Sequence, residues 1–243
     1  WALDNSISQK GSTYSYTVDL CAPATNFLST GAIDSYTLMY GGTSFAAPIV
    51  AGFAGILRAY HPEFTAKQIM ALIKAGCDNI DTIAYNIPFA GKLGKGRLNM
   101  HKSLSMEIPP AVVLEDIIIN ENNYAISVGG NFINYLKNVE NLTITAEVVN
   151  GYANIINPTI FEGSLEQMQS YSSASLILLE LDENIPHDYN LAIKINYSAE
   201  NYTDYQFIDF LVNPSYIDIS TEKLNLSITA NGRIGYSDSQ SSI

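Results

Sequence analysis

The chain has 243 residues, of which 47% are hydrophobic and 15% charged, so it can bury a sizeable core and is not disordered as a whole. Its net charge of −12 is uneven: residues 1–106 carry 8 Lys/Arg and 6 Asp/Glu, whereas residues 107–243 carry 4 and 18. The four basic residues spread over 107–243 cannot form a surface that follows a phosphate backbone, which argues against nucleic-acid binding. No apolar run reaches the ~20 residues that span a bilayer, so no transmembrane segment is predicted.

The first elements lead to an unusually apolar helix. Residues 13–22 alternate polar and apolar side chains, which predicts a strand, and residues 27–40 predict a hairpin. From Ser44 to Tyr60 nearly every residue is small or apolar, so we expect a helix that is buried on every side. Pro48 should fall near its first turn, where a missing N–H costs little.

A second helix follows the His-Pro break at residues 61–62. Thr65 and Gln68 form a Thr-x-x-Gln capping box, and Gly76 is placed as a C′ glycine. Residues 91–97 (GKLGKGR) predict a glycine-rich surface turn before the short segment 98–104. This turn lacks the preceding strand and the Gly-Lys-Ser/Thr ending of a phosphate-binding loop.

The period of the hydrophobic pattern changes from 3.6 to 2 after the double proline at residues 109–110. We therefore place one domain at 1–106, an antiparallel, immunoglobulin-like β-sandwich at 107–214, and the start of a further β segment at 215–243. The runs that predict strands are Val112–Asn120, Leu142–Val148, Ser175–Leu181, Leu191–Tyr197, Tyr205–Val212, Tyr216–Ser220 and Leu224–Ala230. The predicted core consists of Leu142, Ile144, Val148, Leu191, Ile193, Ile195, Ile208 and Phe210.

The cysteines give no sign of a metal site. Cys21 and Cys77 have neither CxxC spacing nor a neighbouring histidine, so zinc is not expected. A single disulfide and two buried free thiols both remain open.

Ser44 begins the apolar helix and has two interpretations. Serine is a favoured N-cap, which would make its role structural. Alternatively, a serine at a helix N-terminus has a free backbone N–H and the positive end of the helix dipole beside it, both of which stabilise an oxyanion during acyl transfer. Position alone favours the N-cap.

The surrounding motif favours the nucleophile. The run GTSFAAP at residues 42–48 resembles the nucleophile motif of the subtilisin-like serine peptidases, and VDLCAP at 18–23 resembles the strand and Ala-Pro turn ahead of it. HP at 61–62 and GKGRLN at 94–99 are similar to later segments of the same family, in the same order. Ile49 and Ala24 depart from the residues that the family usually has at these positions.

The resemblance implies a role for each residue around Ser44. Ser44 would be the nucleophile, with its own N–H as one oxyanion donor, and the Thr43 hydroxyl would help to orient the pocket. The fold implied is the C-terminal part of an α/β parallel-sheet domain. The residues implied in substrate binding are Tyr40, Gly41, Gly42 and Phe45.

The other catalytic groups of the family lie upstream of the nucleophile. Nothing here replaces the catalytic Asp, the catalytic His and the oxyanion Asn, because His61, His101 and His187 are better explained as surface or packing residues. We therefore expect an interior piece of a longer polypeptide, inactive alone. Its expected partner is the N-terminal half of the peptidase domain, which would carry the Asp and the His.

Two functions are compatible with these features. The first is a secreted or cell-surface serine endopeptidase that cleaves proteins or peptides; it requires no cofactor and leaves room for structural calcium in the parent protein. The second is a non-catalytic surface or adhesion protein that retains the scaffold. The intact Gly-Thr-Ser favours the enzyme.

Overall fold

The structure is a computed structural model that describes residues 13–39, 41–122, 124–220, 225–229, 234–236 and 239–242. Its first part is mainly helical, and from residue 112 onward it consists of strands. The first part contains strands β1 (Phe27–Thr30) and β2 (Tyr36–Met39), helices α1 (Thr43–Tyr60), α2 (Ala66–Ala75) and α3 (Met100–Ser105), and a 3-10 turn at Ile87–Phe89.

The predicted hairpin is confirmed, but the predicted strand at 13–22 is wrong. β1 and β2 pair antiparallel, with Phe27 opposite Met39. Residues 13–20 contain a turn at residues 16–17 and no strand, and within 13–22 only Cys21 forms a bridge, parallel to Arg97. A strand needs neighbours along its length, and the described chain offers this segment only one short partner.

The second helix begins as its capping motif predicts. The Thr65 hydroxyl accepts a hydrogen bond from the Gln68 backbone, and the Gln68 side chain accepts one from the Thr65 backbone. Gly76 ends α2 with φ −81°, so the predicted left-handed cap is wrong. Glycine is needed there for another reason: a Cβ would lie 2.0 Å from the Ser103 hydroxyl oxygen on α3.

The β module consists of two antiparallel four-stranded sheets. Their orders are β3-β4-β8-β6 and β10-β9-β5-β7. One hydrophobic cluster contains residues from both sheets, among them Val128 and Ile177 from the first and Ile144 and Ile193 from the second. The strands are β3 (Val112–Asn122), β4 (Ala125–Asn134), β5 (Val139–Val148), β6 (Ala153–Ile155), β7 (Thr159–Leu165), β8 (Ser170–Leu181), β9 (Tyr189–Ala199) and β10 (Tyr202–Val212).

The predicted core is largely confirmed. Six of its members are buried, while Val148 and Phe210 are half-buried against the same cluster. The buried six are Leu142, Ile144, Leu191, Ile193, Ile195 and Ile208. The immunoglobulin-like connectivity stays a prediction.

The helices and the β module share a second hydrophobic cluster. Tyr135 and Leu136, which follow β4, pack with Phe53 and Leu57 of α1 and with the buried face of α2. Leu136 is 0% exposed. The Gln68 side chain adds a buried hydrogen bond of 3.1 Å from its Nε2 to the Tyr135 carbonyl. The two parts are therefore joined by core packing as well as by the chain.

The last strands form a separate antiparallel meander in the order β11-β12-β13-β14. Its first two strands match the predicted runs closely. The four strands are β11 (Tyr216–Ser220), β12 (Asn225–Thr229), β13 (Ile234–Tyr236) and β14 (Ser239–Ser242).

Candidate active site

The nucleophile turn, which we define as residues 41–44, has a conformation fixed by contacts with Ala24, which precedes the β1–β2 hairpin. Gly41 has φ 105°, a conformation that favours glycine, and a Cβ there would lie 1.8 Å from the Ala24 carbonyl oxygen. The Gly42 N–H donates to that same oxygen at 2.8 Å. The turn therefore cannot accept a side chain at Gly41 without moving.

Ser44 is the second residue of α1, and Gly42 is its N-cap. The N-cap interpretation of Ser44 is therefore wrong. Phe45 donates its N–H back to the Gly42 carbonyl at 2.9 Å, whereas no described residue accepts from the Ser44 N–H or bonds its hydroxyl. Ser44 is exposed, so the free N–H, the hydroxyl and the positive end of the α1 dipole coincide at an accessible point.

Pro48 lies farther into the helix than its sequence position suggested. It is the sixth residue of α1, beyond the first turn, and the helix continues through it. Because proline has no N–H, the Ser44 carbonyl has no i+4 donor within the helix. Both backbone groups of Ser44 thus lack the usual intrahelical partners.

The remaining predicted site residues lie around Ser44. Thr43 is the first residue of α1 and is exposed, and Phe45 is half-buried. The structure brings Gly41, Gly42, Thr43, Ser44 and Phe45 together at the start of α1. Tyr40 lies outside the described residues.

A cavity of about 280 Å³ adjoins the first turn of α1. Thr43, Ala46 and Ala47 form one wall, and Ala22 and Ala24 face them. Four of the lining residues are alanines, whose small side chains leave space beside the nucleophile turn. From the sequence, Ala24 was noted only as a departure from the family, and the role of its carbonyl as acceptor for the Gly42 N–H was missed.

No contact between Ser44 and a histidine is present among the described residues. His61 caps the far end of the 18-residue helix α1, about 25 Å away at 1.5 Å per residue. It stacks on Phe64 with ring centroids 4.7 Å apart. His101 is exposed on α3, and His187 contacts the Asn213 carbonyl in the β module.

Much of α1 is uncovered, contrary to the expectation of burial on every side. Phe53 and Leu57 are buried, but Ile56 is 54% exposed, and a Cβ at Gly52 or Gly55 would meet nothing within 4 Å. The described chain covers one side of the helix only. By length and composition alone α1 is also apolar enough to cross a membrane, a test that core helices of soluble proteins pass as well.

The two cysteines are free thiols. The Cys21 Sγ donates to the Leu93 carbonyl at 3.5 Å, and the Cys77 Sγ donates to the Ile73 carbonyl at 3.4 Å. Burial raises the pKa of the Cys77 thiol to about 12 and also raises the pKa of Cys21. Neither thiol is therefore a nucleophile near neutral pH.

The described residues do not form a metal-binding cluster. No group of three or more His, Cys, Asp or Glu side chains is placed to hold an ion within the ranges that the structure covers. Asp81 has a buried Oδ1 without a hydrogen-bond partner, but its Oδ2 is engaged by the Gly91 N–H at 2.9 Å. A single carboxylate oxygen falls short of the 6–8 oxygen ligands of calcium.

A serine at the start of an apolar helix, after a strained glycine turn, defines a candidate serine-hydrolase site. Residues 4–87 match the profile of the subtilase family. Relatives include a calcium-dependent protease of Trichormus variabilis, 30% identical over 97 residues, and a subtilisin-like protease 1 of Plasmodium berghei, 36% identical over 70 residues. These alignments cover 36% and 29% of the chain but only 15% and 12% of the relatives. Residues 4–87 therefore carry a subtilase-family fragment, and this match supports the α/β assignment of the first part of the chain.

Proposed function

We propose that this chain carries the nucleophile-bearing part of a subtilisin-type serine endopeptidase, with Ser44 as the attacking residue. The observation that carries the proposal is the geometry of residues 41–44. Gly41, which has a positive φ, packs against the Ala24 carbonyl. The turn places Ser44 at a helix N-terminus, and the Ser44 N–H has no partner among the described residues. That N–H is the proposed oxyanion donor.

The proposed mechanism assigns a role to each residue of the site. The Ser44 hydroxyl attacks the scissile carbonyl and forms an acyl-enzyme, which water then hydrolyses. Gly41 and Gly42 let the substrate backbone approach, Thr43 orients the pocket, and Phe45 contributes to the cleft. Tyr40 is proposed for the cleft from its place in the motif.

The proposed enzyme needs groups that the described residues do not supply. We propose that an upstream segment carries the Asp, the His and the oxyanion Asn and packs on the exposed side of α1. The exposed Ile56 supports this, because an apolar helix face of this size is ordinarily covered. Protein or peptide substrates and an extracellular or cell-surface location are part of the same proposal.

Calcium in the parent protein is proposed from a relative's name alone. The Trichormus variabilis relative is called a calcium-dependent protease. The described residues do not provide such a site, so no catalytic step is assigned to an ion here.

We also propose an immunoglobulin-like sandwich for residues 107–214. The orders β3-β4-β8 and β10-β9-β5 correspond to A-B-E and G-F-C of that fold. The short strand β6 adds to the first sheet and β7 to the second. The proposed role of this module is to space the peptidase part from a surface or to dock it there.

The test is active-site labelling of the polypeptide that includes the upstream segment. Ser44 should react with a fluorophosphonate probe, and Ser44→Ala should abolish both labelling and peptide cleavage. Ser105→Ala, which changes the last residue of α3, is the matched control and should leave both intact. A folded parent that is not labelled would favour the non-catalytic surface protein.

A further inference from the structure

The glycine-rich turn at residues 91–97, here called the closing turn, is held on one side by the segment that leads to the nucleophile. The Lys95 N–H donates to the Asp19 carbonyl at 2.9 Å, and the Cys21 N–H donates to the Gly96 carbonyl at 2.7 Å. A Cβ at Gly94 would lie 2.4 Å from the Asp19 carbonyl group. The closing turn and residues 18–21 are therefore in close backbone contact at Gly94, Lys95 and Gly96.

The other side of the closing turn is held by strand β10 of the β module. The Lys95 ammonium bonds both the Asp204 carboxylate and the Tyr205 carbonyl. The Tyr205 hydroxyl donates to the Gly94 carbonyl at 3.1 Å, and the Lys95 ammonium lies 4.3 Å from the Tyr205 ring centroid. A Cβ at Gly91 would lie 2.8 Å from the Phe207 ring.

Lys95 is unusual among the lysines that join the two parts. Its side chain is 19% exposed, whereas that of Lys67, which bonds Glu115 on β3 at 2.7 Å, is 55% exposed. A lysine removed from water to this extent is stable only where acceptors surround its ammonium group, and Asp204 and the Tyr205 carbonyl are those acceptors. The Lys95 bond therefore fixes where β10 lies on the closing turn.

The contacts continue from residues 18–21 to the nucleophile. The same segment runs on to Ala24, whose carbonyl accepts from the Gly42 N–H at 2.8 Å. Gly42 is the N-cap of the helix on which Ser44 is the second residue. An unbroken series of hydrogen bonds and short chain segments thus leads from Asp204 to the turn that presents Ser44.

We propose that Lys95 is a positioning residue, which through Asp204 uses the β module to hold the nucleophile turn in place. This inference rests on the proposed function, in that Ser44 is taken as the nucleophile. It makes the β module a structural part of the catalytic site instead of a spacer. Lys95 touches no substrate and acts through residues 18–24.

Amide hydrogen exchange at Gly42 tests the inference directly. In Lys95→Met of the 243-residue chain, exchange of the Gly42 N–H should accelerate about tenfold or more, while amides of β5 and β9 keep their rates. Asp204→Asn should give a smaller acceleration, because the Tyr205 carbonyl still accepts from Lys95. Lys95→Arg, which keeps the positive charge and several N–H donors, should exchange more slowly than Lys95→Met.

Lys67→Met is the matched control, because it removes another ion pair between the same two parts but does not contact the closing turn. It should leave Gly42 exchange unchanged. Equal acceleration in Lys67→Met and Lys95→Met, or a uniform rise across the chain, would mean general stabilisation and would overturn the inference. An unchanged Gly42 rate in a folded Lys95→Met protein would also overturn it.

A second measurement separates this inference from the proposed function. In the polypeptide with the upstream segment, Lys95→Met should slow fluorophosphonate labelling of Ser44 about tenfold, and Lys67→Met should not. Absence of labelling in the unmodified polypeptide would refute the nucleophile, while the exchange experiment would still decide the role of Lys95. Normal labelling in Lys95→Met would overturn the positioning role.

Discussion

At the residue scale, the most constrained position near the candidate nucleophile is Gly41. Gly41→Ala would place a Cβ 1.8 Å from the Ala24 carbonyl oxygen at φ 105°. We expect the free energy of unfolding to fall by about 1–3 kcal/mol, because the turn must shift or remain strained. Urea unfolding of the 243-residue chain measures this loss.

The control for that change is a glycine with open space around it. A Cβ at Gly55 would meet nothing within 4 Å, so Gly55→Ala should raise the free energy of unfolding by about 0.5–1 kcal/mol through the helix propensity of alanine. Equal effects of the two substitutions would contradict the strain assigned to the nucleophile turn.

The buried thiol of Cys77 should make the fold sensitive to alkali. Its pKa is raised from 9.0 to about 12 by burial, so between these values the unfolded chain releases a proton that the folded chain retains. Stability is unaffected by this thiol below pH 9 and falls as pH rises from 9 toward 12, by up to about 1.4 kcal/mol per pH unit.

The measurement compares urea unfolding at pH 8 and pH 10.5 for the unmodified chain and Cys77→Ala. Tyrosines whose raised pKa values do not depend on Cys77, such as Tyr135, contribute equally to both proteins. The variant should therefore lose less stability between the two pH values. Identical losses would show that the thiol does not titrate in this range.

At the element scale, α1 has one buried side and one exposed side. Substitutions on the buried side should lower the free energy of unfolding much more than substitutions on the exposed side. Leu57 is 0% exposed, so Leu57→Ala should cost about 2–5 kcal/mol. Ile56 is 54% exposed, so Ile56→Lys should change the stability of this chain by less than about 0.5 kcal/mol and reduce the binding of a hydrophobic dye. Urea unfolding and dye fluorescence measure the two effects.

A large effect of Ile56→Lys on stability would contradict the exposed position of that side chain. A loss of several kcal/mol from Ile56→Lys in the 243-residue chain would mean that this chain itself covers the open side of α1. In the polypeptide with the upstream segment, by contrast, the same substitution should disrupt the proposed packing and reduce Ser44 labelling.

The elements that the sequence predicted well are those with local signals. The capping box of Thr65 and Gln68 starts α2, and the run beginning at Gly42 fixes the start of α1 within a residue. Both depend on side chains within one turn of each other, so no tertiary information is needed.

The elements that the sequence missed depend on distant contacts. Strand β4 carries a Gly-Gly pair that weakens any strand prediction, yet a Cβ at Gly129 would lie 2.6 Å from the Ala174 carbonyl of β8, and a Cβ at Gly130 would lie 2.7 Å from Leu114. These glycines are explained by the neighbouring strands, which no local pattern reveals.

The candidate site was predicted from a sequence motif, and the structure adds contacts that the motif does not show. The run from Gly42 to Pro48 identified Ser44, but the contact of Gly41 with Ala24 and the bond from Lys95 to Asp204 join residues far apart in the chain. Sequence spacing carries no information on such pairs, so they required the fold.

At the scale of the whole molecule, the β module should fold alone but less stably. Its main hydrophobic cluster lies entirely within residues 112–212, so a 111–213 fragment should melt cooperatively with a β-type circular dichroism spectrum. Its stability should be lower than in the whole chain, because Tyr135 and Leu136 lose the cover of α1 and α2.

Leu136→Ala distinguishes packing between the parts from packing within the module. In the 243-residue chain it should cost about 2–5 kcal/mol, since Leu136 is fully buried there. In the fragment the cost should be much smaller, because the side chain is already exposed. An equal cost in both would place Leu136 in the module's own core, and a disordered fragment would show that the module depends on its neighbour.

The packing of Tyr135 and Leu136 also limits which domain recombinations would leave the fold of this protein intact. A foreign β-domain grafted after Pro110 would need apolar side chains in place of Tyr135 and Leu136 to pack on α1 and α2. It would also need an acceptor for the Lys95 ammonium group. A graft after Ser215 meets less resistance, because Ser215 stays with the module through its hydrogen bonds of 2.9 and 2.5 Å to Asp188. We therefore expect this architecture to tolerate recombination that moves residues 1–215 as one unit.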